Sequence, residues 1–179
     1  MKKILMIIFL CLFLFAGCSS TVNRQLEEEK YNAYLTYYQS ILETDDKDSS
    51  SPYFDIEVIV NKVDENYRYD IVIDNPRIAM FQVKALAIID GLTIEVDTEN
   101  MMPSIGIIDD IEVNLVPGQI DKDRNYQAGI DLTLYSEYSN LNISVMVDWL
   151  DLSGFEGHRD YVSLYAQYSD AIVEDSASQ

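Results

Sequence analysis

Nucleophilic catalysis needs a Ser, Thr or Cys whose proton a nearby base can take, and this 179-residue sequence offers a single histidine, His158, as its one neutral-range base. No Gly-x-Ser-x-Gly elbow accompanies it. His158 stands in Ser153-Gly154-Phe155-Glu156-Gly157-His158-Arg159-Asp160, a Gly-bearing connection that reads as a solvated loop, with a binding loop as the sharper alternative. Zinc held in the usual way needs several His or Cys ligands, which are missing, and no glycine-rich phosphate fingerprint is present. Carboxylates are abundant. Asp121-Lys122-Asp123-Arg124-Asn125 starts like a calcium loop, but Tyr126 stands where Gly is needed and Leu132 where the bidentate Glu is needed, so a regular EF-hand is excluded. A looser site there or at Asp109-Asp110 competes with solvated turn acids, which are the default, and no metal or cofactor is assigned. A glycosidase needs two acids about 5 to 10 Å apart across a sugar cleft, which a small sandwich rarely forms. No catalytic residue is assigned.

The N-terminus carries a different chemistry. Lys2 and Lys3 precede an unbroken apolar run from Ile4 to Ala16, then Gly17 and Cys18. As a helix that run reaches only about 20 Å, short of the roughly 30 Å hydrocarbon core, so it reads as a signal-peptide core rather than a membrane span. Leu14-Phe15-Ala16-Gly17-Cys18 followed by Ser19-Ser20 resembles the lipobox of bacterial lipoproteins, with Phe15 where that family usually has Leu. The resemblance implies cleavage before Cys18, acylation of its sulfur and amine (palmitate-type chains), and a chain held on the outer face of the cell membrane. Two or three acyl chains, each buried CH2 contributing about 0.8 kcal/mol, make such an anchor nearly permanent. Cys11 leaves with the leader, so no disulfide is expected despite an oxidising exterior.

Charge narrows the partners. There are 31 Asp+Glu against 12 Lys+Arg, a formal charge of -19, and loss of Lys2 and Lys3 with the leader leaves 10 basic side chains. Such a field repels polyphosphate, which excludes nucleic acid, and favours a cationic protein or peptide. The 48% hydrophobic content is that of a folded protein, and the length suits one domain.

The elements that would position any site follow from periodicity. From about Arg24 to Glu43, Leu26, Tyr31, Tyr34, Leu35, Tyr38, Ile41 and Leu42 recur at helical spacing, with Glu27, Glu28 and Glu29 early, where the helix dipole favours acids. The Tyr31, Tyr34, Tyr38 and Ile41 stripe is read as packing on its own domain, with a partner face or a self-association seam as alternatives. A polar run from Thr44 to Pro52 ends this spacer. From Tyr53 the period is two: Phe54 to Val60, then Tyr67 to Ile73, separated by Asp64-Glu65-Asn66, predict an antiparallel pair. Met80 to Ile89 is apolar on both faces and meets Asp90-Gly91, a hairpin signal leading to Leu92, Ile94 and Val96. Further strands are predicted at Ile111 to Leu115, Tyr126 to Leu134 and Leu141 to Trp149. Tyr161, Leu164, Tyr165, Tyr168 and Ile172 favour a short helix over an edge strand.

The fold expected is mainly β, an antiparallel immunoglobulin-like β-sandwich of about seven strands preceded by a membrane-proximal amphipathic helix. The organisation is a leader over 1–17, a lipidated tether with helix over 18–52, the sandwich over 53–168 and a fraying acidic tail over 169–179. Thirteen tyrosines invite a recognition role, although Tyr67, Tyr69 and Tyr126 fall on core or rim positions. The candidate binding surface is Tyr31, Tyr34, Tyr38, Tyr135, Tyr138 and His158, and the lipidation site is Cys18. The function expected is a non-catalytic, lipid-anchored binding or scaffolding module. The alternatives are an enzyme or enzyme accessory acting on cell-wall glycan, and helix-mediated self-association.

Overall fold

The computed structural model describes residues 18–91 and 100–169, with helix side chains from residue 25 onward. The leader over 1–17, the strand expected at Leu92 to Val96 and the tail beyond Ser169 lie outside the described residues. Among the described residues one α-helix, α1 (Cys18–Glu43), precedes seven strands: β1 (Asp55–Val63), β2 (Asn66–Asp74), β3 (Phe81–Ile89), β4 (Ser104–Ile105), β5 (Gly129–Ser136), β6 (Asn140–Leu150) and β7 (Gly157–Gln167). They form two antiparallel sheets, ordered β1-β2-β5 and β4-β3-β6-β7. Among the described residues no helix is long and apolar enough to cross a membrane.

The alternation read from the sequence is what closes the core. Tyr69, Ile71 and Ile73 of β2 and Ile130, Leu132 and Leu134 of β5 face Ala85, Ala87, Ile143, Val145 and Val147 of the second sheet, all of them buried. Trp149 fills one end of the space between the sheets, edge-on to Tyr53 and Phe54. The second sheet is buried on its other face as well. Leu86, Ile88 and Met146 have no exposed surface, and α1 covers them, burying Tyr34, Tyr38 and Ile41 in the same core cluster. The double-sided apolar run of β3 therefore has a cause: it is the middle layer of three.

The stripe of α1 thus packs on its own domain, as its apolar spacing indicates, rather than forming a partner face or seam. α1 lies on the four-stranded sheet. Tyr37 packs over a charged row, with Arg159 4.9 Å and Lys84 5.7 Å from its ring centre, and Arg159 is held by Asp148 through two hydrogen bonds of 2.9 and 2.7 Å. Lys30 pairs with Asp110 at 2.5 Å. The helix also starts earlier than the periodicity indicates, because Cys18 to Asn23 contribute little to an apolar stripe that could reveal them.

Three strand assignments change. Tyr161 to Gln167 belongs to a strand, β7, not to a helix: eleven consecutive pairs with β6 turn Val162, Leu164 and Ala166 to the sandwich interior, and sheet pairing overrides the weak three-to-four spacing. Ile111 to Leu115 forms no strand. Its Val113 and Leu115 are buried; Leu115 exchanges two backbone hydrogen bonds with Met80 and the Val113 carbonyl accepts one from the Val83 N–H, while a break in register between Phe81 and Lys84 and the positive φ of Gln82 (49°) interrupt regular pairing. β4, two residues long, carries too little pattern to be foreseen. Gly106 follows it with a φ of +71°, and a Cβ there would stand 2.5 Å from the Val83 carbonyl oxygen, so no other residue fits without backbone movement.

Candidate functional site

The residues singled out by chemistry end in different places. Tyr34 is fully buried: the Met102 N–H donates to its hydroxyl at 2.7 Å, and burial pushes the phenol up to about 12. Tyr38 stacks on it at 6.3 Å between ring centres and is 5% exposed. Neither belongs to a surface, and with Ile41 inside too the stripe proposed as a seam is consumed by the sheet. Tyr31 is half-buried beside them. His158 lies within β7 rather than in a loop, half-buried and stacked on Trp149 at 5.6 Å, where its ring serves packing. The backbone of Cys18 begins α1.

The acids considered for calcium work locally. The Asp121 carboxylate accepts from the Asp123 N–H at 3.0 Å and caps the 3-10 turn Lys122–Arg124, and Asp109 accepts from the Gly106 N–H at 2.8 Å. Among the described residues no group of three potential ligands converges.

Tyr135 and Tyr138 do reach solvent, and Tyr135 belongs to a larger feature that the sequence reading missed. The hairpin β1–β2 pairs Asp55 with Asp74, Glu57 with Val72, Ile59 with Asp70 and Asn61 with Arg68; β5 continues these rows with Asp131, Thr133 and Tyr135. Because side chains alternate, all of these residues share the outer face of the three-stranded sheet. Five carboxylates stand there. Asp70, 5% exposed, is satisfied: Arg68 donates to it at 2.8 and 2.6 Å and the Thr133 hydroxyl at 2.9 Å. Asp55 accepts from Arg77 and from Asn75, and the Arg77 hydrogen bond holds its carboxyl below the usual range. Asp131 lies in the field of Arg68. Glu57 and Asp74 have no cation or donor among the described residues.

These two carboxylates and Asp55 line a cleft of about 450 Å³ at the start of β1, with Ser51, Phe54 and Arg77 completing it. Beside it the face presents Ile59, 46% exposed, and Val63, 41% exposed. The arrangement is apolar ground beside the negative charges of Glu57 and Asp74, which suits contact with positive groups. A second exposed feature is the β6–β7 turn, where the Asp151 carboxylate accepts from the Ser153 hydroxyl at 2.6 Å and Phe155, 94% exposed, projects outward.

The signal for the acidic face was partly in the sequence. The alternation of the two strands was readable, but the separator Asp64-Glu65-Asn66 left the register open; the structure's two-residue turn at Asp64-Glu65 fixes it and puts Asp55 opposite Asp74, and the partnership with β5 is non-local. Comparison with known families, curated proteins and solved structures finds no match.

Proposed function

We propose that the protein is a lipid-anchored lipoprotein on the extracytoplasmic face of a bacterial cell membrane, and that its β-sandwich is a non-catalytic recognition module for a cationic protein or peptide. The anchor is acylated Cys18, supported by the charged start, the apolar run and Ala16-Gly17-Cys18. The recognition role is carried by one observation: the outer face of the β1-β2-β5 sheet, with Glu57 and Asp74 uncompensated around exposed Ile59, in a chain of formal charge -19. The same field argues against nucleic acid.

We read the sandwich as immunoglobulin-like. The strand order supports this: β1, β2 and β5 take the places of strands A, B and E, and β4, β3, β6 and β7 those of C′, C, F and G. That architecture hosts many functions, so the role rests on the face and not on the fold.

The test is capture at the native cell surface by crosslinking, with wild type and the double variant Glu57→Lys, Asp74→Lys compared. The captured partner of the wild type associates more slowly as ionic strength rises, and the variant, still folded, associates roughly tenfold more slowly at low salt. A partner taken equally by both proteins, with an association rate indifferent to salt, contradicts the reading.

A further inference from the structure

The strand that borders the acidic face is also an open edge. β1 pairs with β2 over nine residues without a break in register and, among the described residues, with nothing on its other side. The comparable edge of β7 is different: the Asp48 N–H donates to the Tyr161 carbonyl at 3.0 Å and the Ser163 N–H to the Asp48 carbonyl at 2.8 Å, so a passing segment occupies its middle at Val162. Long edges are normally blunted by proline, bulges or several charges pointing along the edge. β1, Asp-Ile-Glu-Val-Ile-Val-Asn-Lys-Val, has no proline and no bulge, and its charges are Asp55 and Glu57 at the start, on the outer face, and a single lysine near the far end.

The groups available at this edge follow from the turn. In a two-residue hairpin the flanking residues, here Val63 and Asn66, form a hydrogen-bonded pair, and alternation then turns the N–H and C=O groups of Ile56, Val58, Val60 and Lys62 away from β2. The side chains of Ile56, Val58 and Val60 point inward yet remain half-buried, whereas Tyr69, Ile71 and Ile73 opposite them are fully buried. β7 of the facing sheet approaches β1 without pairing with it, so the difference is the missing hydrogen-bonded strand on the open side. An added strand with apolar residues inward would cover these three, and its outward residues would run beside Asp55 and Glu57 towards the cleft with Asp74.

We propose that β1 is an acceptor edge, which takes an extended partner segment of alternating basic and apolar residues as a fourth strand of the sheet. This rests on the reading of the molecule as a recognition module for a cationic partner and specifies how that partner is held: main-chain hydrogen bonds supply the binding, apolar residues complete the core rim, and basic residues meet the carboxylates.

The probe is a nine-residue, end-capped peptide alternating lysine and valine, titrated into the full chain in detergent while amide hydrogen exchange is followed by NMR. Exchange at Ile56, Val58, Val60 and Lys62 slows at least tenfold, while Glu57, Ile59 and Asn61, already bonded to β2, change little. A glutamate-valine peptide binds at least tenfold more weakly, and N-methylation of alternate residues on the lysine peptide's pairing edge abolishes binding. Protection confined to Tyr135, Tyr138 or the Leu152 to Phe155 turn overturns the edge assignment and leaves recognition of a basic partner standing. Failure of the lysine peptide to bind anywhere, even at low salt, removes both. Protection of the edge amides in the free protein together with a doubled sedimentation mass means that a second copy fills the edge, which also overturns the proposal.

Discussion

Tyr34 shows how a residue that looks suited to recognition is claimed by the interior. Its ring is in the core and its hydroxyl satisfies the Met102 N–H, which otherwise has no partner in a water-free setting. Tyr34→Phe is expected to lower stability by about 1 to 3 kcal/mol at neutral pH, the usual cost of an orphaned buried donor. The pH dependence has a defined sign. With the folded phenol raised from 10.0 to about 12, chiefly by burial, the unfolded chain loses this proton first. The contribution is intact below pH 10 and disappears as pH rises towards about 12. Urea denaturation across this window shows a fall in stability that is less steep in Tyr34→Phe; equal slopes in the two proteins contradict the assignment. Glu57 and Asp74 represent the opposite case, acids left free by their neighbours and hence available to a partner.

Among the elements, α1 and β7 separate what the sequence made legible from what it did not. The helical stripe of Tyr34, Tyr38 and Ile41 was readable, as was the need of β3 for cover on both faces, but nothing local joined the two facts. Joining them gives the three-layer arrangement. Ile41→Ala is therefore expected to cost about 2 to 5 kcal/mol in a single cooperative urea transition, as for a core position, because the side chain has no exposed surface. A spacer helix would lose almost nothing, and an unchanged midpoint rejects the docked helix. β7 was hidden because Tyr161, Leu164, Tyr165 and Tyr168 satisfy a helical spacing by coincidence, while Val162, Leu164 and Ala166 satisfy the strand period; the pairing with β6 decides between them and is a tertiary fact. The strands β1, β2, β3 and β6 were readable because β1, β2 and β6 carry apolar residues at alternate positions and β3 ends in the continuous apolar run Ala85 to Ile89. The acidic face was half-legible: the alternation of β1 and β2 was readable but their register was not, and Asp131 and Tyr135 join only through the pairing of β5 with β2.

For the whole molecule, charge and attachment act together. Under the proposed anchoring, a chain with a formal charge of -19 held at a surface would concentrate a negative, partly apolar sheet face where a cationic partner arrives, and would raise its rate of encounter more than its residence time. Docking of α1 on the sandwich has a consequence for this arrangement. With residues 25–43 packed into the globule, the proposed anchor at Cys18 would leave only the first turns of α1 between lipid and domain, and would hold the module close to the membrane rather than on a long tether. The central claim is that the chain is fixed to the membrane through the Cys18 sulfur. Its most direct test is mass spectrometry of the N-terminal peptide of the protein purified from its native cells: the account predicts a peptide starting at Cys18 and carrying two or three acyl chains, and a peptide that retains the Lys2-Lys3 leader, or begins elsewhere without lipid, contradicts it.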